Sequence, residues 1–105
     1  MATMATTIRP EISSTNQYHI KKHRYYELKH FCLQYYDWQG DWRGYRTLVR
    51  ETCYQADPVV GKYIFKAVTE GVSYTYLKTK MDIPCGRSMY FDRYRKFFWL
   101  LSEAR

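Results

Sequence analysis

The stretch GVSYTYLKTKMDIPCGRSMYFDRYRKFF, residues 71–98, decides the fold of this chain of 105 residues. Gly71 suits the left-handed position that ends a helix, and the serine two residues later can cap a second helix, predicted over residues 74–81. The proline of the following DIPCG segment disfavours a helical conformation at the isoleucine before it, so this segment forms a turn. A third helix is predicted to begin at Arg87 and to run to about residue 102.

A further helix precedes this stretch. Asp57 and Pro58 are typical of a helix start, because aspartate can cap a helix and proline fits its first turn. Apolar residues then recur at helical spacing as far as Gly71. Three helices separated by two short breaks are typical of a helix-turn-helix, in which Ile83 would be the buried residue of the turn. We therefore expect residues 57–105 to form a three-helix unit in an all-α fold, a small helical bundle.

The third helix has two distinct faces. At 100° per residue, a buried face centred on Tyr94 gathers most of the large apolar side chains. These are Tyr90, Phe91, Phe97, Phe98 and Leu101. The opposite face carries Ser88, Met89, Asp92, Arg95, Lys96 and Trp99. We expect the polar residues of this second face to be exposed to solvent.

This pattern suggests binding of double-stranded DNA. A recognition helix fits the major groove, about 12 Å wide, with its N-terminal residues at the base edges. The predicted base contacts are Arg87, Ser88, Asp92 and Arg95. Hydroxyl and ammonium groups beside this helix would contact phosphates and set the register without reading sequence. The predicted phosphate contacts are Ser73, Thr75, Lys78, Lys80 and Lys96.

The charge distribution agrees with a polyanionic partner. The chain has a formal net charge of +7, and residues 73–96 carry six Lys and Arg against two Asp. Such a local basic excess is expected of a nucleic-acid surface, although a basic face can also serve solubility alone. Hydrophobic residues make up 46% of the chain, which excludes a wholly disordered class. No apolar run is long enough to span a membrane, and we expect no secretion signal.

The remaining segments predict a flexible tail, a helix and a connection to the three-helix unit. Residues 1–16 are rich in Thr, Ser and Ala and predict a flexible tail. Residues 17–37 predict an N-terminal amphipathic helix, with Tyr25, Leu28, Cys32 and Tyr35 at helical spacing. Residues 38–56 begin in the glycine-broken DWQGDWRG segment and continue as a short helix over 45–55. With the three-helix unit, residues 17–105 would form a single helical domain.

Three tryptophans leave two interpretations open. Trp38 and Trp42 either fold back to cover the small core or form an exposed patch for a partner or a second copy of the chain. Trp99 lies on the outer face of the third helix and could pack on the N-terminal helix or on another protomer. Because many helix-turn-helix proteins bind as dimers, a homodimer is one of the expected states.

The residues give little support for a metal site, a disulfide framework or catalysis. His19, His23, Glu27 and His30 lie near one face of the first helix, but one helix cannot close a tetrahedral zinc site. Three cysteines without a CxxC pair indicate reduced, packed thiols rather than a disulfide framework. The sequence contains no phosphate-loop, G-x-S-x-G or H-E-x-x-H motif. We therefore expect no enzyme, no metal and no cofactor.

Several segments resemble known bacterial and phage proteins. Residues 70–74 (EGVSY) and 83–87 (IPCGR) resemble the helix-turn-helix of sigma-factor region 4. Residues 90–98 (YFDRYRKFF) and 28–38 (LKHFCLQYYDW) resemble prophage proteins of Gram-positive bacteria, the late transcriptional regulators of the RinA/ArpU type. The resemblance implies a phage-derived, sequence-specific DNA-binding protein that acts in transcription regulation, in the cytoplasm of a bacterial host.

Two rival functions also fit the sequence. The chain could be a phage-encoded interaction factor whose basic aromatic surface binds RNA polymerase or another phage protein. It could also be a DNA-packaging protein like the small terminase subunit, which would share the DNA-binding element but require a ring-forming oligomer.

Overall fold

The computed structural model describes residues 18–105, and the described part of the chain is all-helical. Its five α-helices, named here α1 to α5, are Lys22–Leu33 (α1), Tyr45–Ala56 (α2), Gly61–Glu70 (α3), Tyr74–Met81 (α4) and Arg87–Ala104 (α5). Two short 3₁₀ turns, Tyr35–Asp37 and Trp42–Gly44, lie between α1 and α2. The all-α prediction is therefore confirmed, whereas the tail predicted for residues 1–16 lies outside the described residues.

An aromatic core holds the helices together. α2 packs against α3 and α5, and α1 packs against the same two helices. The ring of Phe98 lies 5.0 Å from that of Tyr25 on α1 and 5.0 Å from that of Tyr94, measured between centroids. The Tyr25 and Tyr94 hydroxyls lie 3.4 Å apart inside the core. Aromatic pairs at such distances add directional contacts to the burial of large apolar surfaces.

The predicted inner face of α5 is confirmed with one exception. Five of its six residues are buried, whereas Phe91 is half-buried. The buried ones are Tyr90, Tyr94, Phe97, Phe98 and Leu101. The apolar positions predicted to define the first helix are buried as well, namely Tyr25, Leu28, Cys32 and Tyr35. Helical periodicity therefore identified the faces that meet in the core.

The predicted N-terminal helix is too long at both ends. Instead of covering residues 17–37, the regular helix α1 spans Lys22–Leu33. A 3₁₀ turn then follows at Tyr35–Asp37, in which Tyr35 still points into the core. The apolar spacing continues through this turn, and for this reason periodicity alone did not reveal the helix end.

Asp57 caps the start of α3, but the regular helix begins later than the sequence predicts. The Asp57 carboxylate oxygen Oδ1 accepts hydrogen bonds from the backbone N–H groups of Val59 (2.7 Å) and Val60 (2.8 Å). The Asp57 carbonyl accepts from the N–H of Gly61 at 2.8 Å. Asp57 thus caps this helix as predicted, although regular α-helix begins only at Gly61, after a turn through Pro58.

The boundaries of α4 and the start of α5 agree with prediction. Gly71, the residue after α3, has a φ of 73°, and Asp82, the residue after α4, has a φ of 52°. The backbone N–H groups of Asp82 and Ile83 both donate to the carbonyl of Leu77. Ile83 is 1% exposed, so this turn residue is buried as expected.

Among the described helices, none is long and apolar enough to cross a membrane.

Candidate nucleic-acid interface

The structure places six of the predicted DNA contacts on exposed positions of α4 and of the first turn of α5. They are Ser73, Thr75, Lys78, Lys80, Arg87 and Ser88. The first four belong to α4 or its cap, and the last two open α5. We call this set of six residues the basic face, although Lys78 and Lys80, two residues apart, leave α4 on different sides of the helix. The set carries three cationic side chains, and the exposed carboxylate of Asp82 lies in the turn between Lys80 and Arg87.

Local hydrogen bonds hold α4 next to the start of α5. The Ser73 hydroxyl accepts from the backbone N–H of Tyr76 at 3.2 Å, which caps α4 as predicted. The Tyr74 hydroxyl donates to the carbonyl of Cys85, 2.9 Å away, in the turn before α5. The ring of Tyr74 also lies 5.3 Å from that of Tyr90 on α5. These contacts fix the two helices of the basic face relative to each other.

Arg87 is positioned by aromatic rings. Its guanidinium lies 5.0 Å from the ring centroid of Phe91 and 5.8 Å from that of Tyr74. Cation–π contacts at exposed sites are weak, about 0.5–1 kcal/mol, but they narrow the orientations of a flexible side chain. The residue is exposed at the first position of α5, so its donors remain accessible. Arg87, Ser88 and Arg95 border one shallow depression with Phe91.

Three other predicted contacts are less accessible than expected. Asp92, Arg95 and Lys96 are half-buried, whereas the helical wheel predicted exposed side chains. Asp92 forms an ion pair with the neighbouring Arg93. A long cationic side chain such as Lys96 can bury its methylene stem while its charge stays in water. At Arg95 the burial reaches the guanidinium, since its Nε is buried. The expectation of a fully exposed outer face was therefore wrong at these three positions.

Arg93 has an internal role that the charge count missed. Its Nε donates to Asp57 Oδ2 at 3.0 Å, and this hydrogen bond raises the pKa of the guanidinium. Burial of Asp57 acts to raise the pKa of its carboxyl group. The N–H groups of Val60 and Val59 together with Arg93 outweigh that effect and hold the pKa below its ordinary value. One of the six basic residues of 73–96 thus stabilises the fold, joining α5 to the start of α3.

The three tryptophans have three different surroundings. Trp38 is half-buried and its ring lies 4.9 Å from Phe31 and 5.3 Å from Tyr45, so it covers the core. Trp42 is 51% exposed. Trp99 is half-buried, with its ring 5.9 Å from that of Tyr18 in the segment before α1.

Sequence reasoning missed a cleft beside the basic face. Its volume is about 350 Å³, and its lining includes Ser73, Thr75 and Arg87 of the basic face. Lys29 and Tyr25 of α1 complete it from the other side. Nothing in the sequence places α1 at this point, because the two parts of the cleft are far apart along the chain. The four-residue spacing of Tyr25 and Lys29 was the one available signal, since it puts both side chains on the same side of α1.

The described residues offer no clustered metal ligands. Within residues 18–105, no group of three or more His, Cys, Asp or Glu side chains is arranged to hold a metal ion. The histidines considered above, His19, His23 and His30, are all exposed.

Comparisons of the chain with protein-family models, with curated proteins and with solved structures return no match.

Proposed function

We propose that this chain is a sequence-specific DNA-binding protein whose helices α3, α4 and α5 act as a helix-turn-helix. In this proposal the N-terminal end of α5 enters the major groove, and α4 lies across its entrance near the phosphates. The observation that carries the proposal is the basic face, in which three exposed cations and three hydroxyl groups lie on two helices joined by one turn.

The support of the basic face by the core strengthens this proposal. Leu77 and Ile83 are buried beneath α4 and the turn, and Tyr90 is buried beneath the start of α5. A recognition helix must be held rigidly, because base readout depends on the placement of a few donors and acceptors. Arg87 is suited to guanine, which an arginine can contact through two hydrogen bonds. Ser88 and Arg95 are secondary candidates, and Lys96 remains a candidate phosphate contact.

The proposed biological role is transcription regulation in the cytoplasm of a bacterial host, with a phage or prophage origin. It rests on the resemblance of residues 70–74, 83–87 and 90–98 to sigma-factor region 4 and to RinA/ArpU-type regulators. The basic face is the part of the structure that such a role would use.

The test compares three alanine variants on a duplex selected from a random pool. Arg87→Ala is expected to weaken binding to the selected duplex by about 1–3 kcal/mol and to relax its sequence preference. Lys78→Ala is expected to weaken all duplexes about equally and to reduce the salt slope by about one. Lys62→Ala on α3 also removes an exposed charge, but outside the basic face, and it serves as the matched control. Equal effects of all three variants would contradict the assignment of the interface.

A second candidate function has one observation in its favour. Trp42 and Tyr36 are 51% and 58% exposed, and both lie between α1 and α2. Exposed aromatic side chains are frequent in protein interfaces. The second candidate is therefore a factor that binds RNA polymerase or another phage protein through this region. It predicts that Trp42→Ala abolishes capture of such a partner without changing DNA binding.

A further inference from the structure

The cleft beside the basic face has an aromatic lining. It lies between α1, the C-terminal end of α3, the first turn of α4 and the first half of α5. Tyr25, Tyr90 and Tyr94 form its inner part and are at most 8% exposed. Phe91 and Tyr74 lie nearer the surface and are half-buried. The faces of the three inner rings are covered by the core, so only Tyr74 and Phe91 offer apolar surface against which a planar group can stack.

Two cations lie at this cleft, one on each side. Lys29 contributes from α1, where its Nζ lies 5.8 Å from the ring centroid of Tyr25. Arg87 contributes from α5 and lies over the rings of Phe91 and Tyr74. None of the described residues that line the cleft is acidic. The nearby carboxylate of Glu70 is paired with Lys66 at 2.8 Å. The cleft is therefore positively charged as well as aromatic.

The first turn of α4 adds hydrogen-bond donors. Ser73, Tyr74 and Thr75 all line the cleft. Tyr74 and Thr75 are the first two residues of α4, where backbone N–H groups have no partner within the helix. They line the same cleft as the two cations, so a small anion held there would receive both charge and hydrogen bonds.

We propose that this cleft binds a small anion that carries a planar ring, of the size and class of a nucleoside monophosphate. The ring would stack on the partly exposed rings of Tyr74 and Phe91, and the anion would be held by Lys29, Arg87 and the start of α4. The volume of about 350 Å³ lies at the lower end of the range for small-molecule sites, about 300–1,000 Å³, which matches one nucleotide rather than a dinucleotide.

A ligand bound in the cleft would also compete with DNA for residues that the two sites share. Ser73, Thr75 and Arg87 belong both to the cleft and to the basic face. A ligand that engages Arg87 withdraws it from the bases, and the coupling is reciprocal, so DNA lowers the affinity for the ligand by the same factor. This second part rests on the proposed DNA-binding function, whereas binding of the ligand itself does not.

The test titrates AMP and GMP into the full chain and follows binding by calorimetry and by NMR shifts. Adenosine and ribose 5-phosphate serve as half-ligands. At least one of these two nucleotides is expected to bind at a single site, at least tenfold more tightly than adenosine or ribose 5-phosphate. Lys29→Gln is expected to weaken this binding at least tenfold, whereas Lys62→Gln, outside the cleft, leaves it unchanged. The thermal unfolding midpoint of each variant verifies its fold, and Lys29→Arg is expected to restore binding if charge is the requirement.

The possible results distinguish a failure of the proposed nucleotide site from a failure of the proposed DNA-binding interface. If no nucleotide binds, or if Lys29→Gln binds as tightly as the unaltered chain, the cleft assignment is overturned, whatever the DNA result. If a nucleotide binds through Lys29 but no duplex does, the cleft stands and the proposed DNA function fails. In the unaltered chain, the nucleotide is expected to weaken DNA binding, and Lys29→Gln to abolish that effect while retaining DNA affinity. Simultaneous, independent binding of both would overturn the competition.

Discussion

The ion pair between Asp57 and Arg93 allows a quantitative test of how α5 is held. One oxygen of Asp57 accepts from two backbone N–H groups at 2.7 and 2.8 Å, and the other accepts from Arg93 Nε at 3.0 Å. The Asp57 side chain is 13% exposed and that of Arg93 is 33% exposed. Asp57→Ala removes a helix cap, about 1 kcal/mol, and a partly buried charged hydrogen bond, about 1–2 kcal/mol. The expected loss of unfolding free energy is therefore about 2–3 kcal/mol.

Urea unfolding followed by circular dichroism measures this loss. Asp57→Asn retains an oxygen for the cap but not the charge, so it is expected to lose only the part that depends on Arg93. Combining Asp57→Ala with Arg93→Ala in a double-mutant cycle is expected to give a coupling energy of about 1 kcal/mol. A coupling energy indistinguishable from zero, or an unchanged unfolding midpoint for Asp57→Ala, would refute this role of the pair.

The same pair predicts a pH dependence with a definite sign. The pKa of Asp57 is lower in the folded chain than its unfolded value, about 3.9. Its contribution to stability is thus complete above the unfolded pKa and is lost as the pH falls through the folded one. The stability difference between the unaltered chain and Asp57→Asn is expected to be constant near neutral pH and to shrink below about pH 4. A difference that grows on acidification would contradict the assignment.

Two further predictions concern packing and the thiols. A Cβ at Gly61 would lie 2.7 Å from the backbone oxygen of Cys53, so Gly61→Ala is expected to cost about 1–3 kcal/mol by forcing α2 and α3 apart. Gly86→Ala meets open space and is the comparison, but Gly86 is the N-cap residue of α5, so this change is expected to cost less than about 1 kcal/mol. Burial raises the pKa of Cys32 and of Cys53, and both are buried, so iodoacetamide is expected to modify the half-buried Cys85 first in the native chain; equal rates for all three by mass spectrometry would contradict this packing.

The elements around the basic face were predictable because their signals are local. Ser73 caps α4, Gly71 ends α3, and the proline-containing turn separates α4 from α5 within a few residues of each boundary. Helical periodicity also identified the buried side of α5, since the spacing of its large side chains depends only on the helix itself. Six of the candidate contacts were consequently placed on exposed positions.

The remaining features depend on tertiary contacts that no local pattern encodes. The sequence places Arg93 among the surface charges, because no local pattern indicates that its partner is Asp57, 36 residues earlier. The half-burial of Trp99 involves Tyr18 from the far end of the described chain. The cleft likewise requires α1 to lie next to α5, which brings Lys29 and Arg87 to one site. Sequence reasoning therefore predicted the exposure of six candidate contacts, but neither the pairing of Arg93 with Asp57 nor the cleft.

The most direct test of the DNA-binding proposal is selection of duplexes by the purified chain from a random pool at two salt concentrations. We expect one short motif to be enriched and its affinity to fall steeply with salt, because phosphate contacts by Lys78 and Lys80 release counterions. Absence of both enrichment and binding at about 50 mM salt would contradict DNA binding and leave the protein-interaction function as the better explanation.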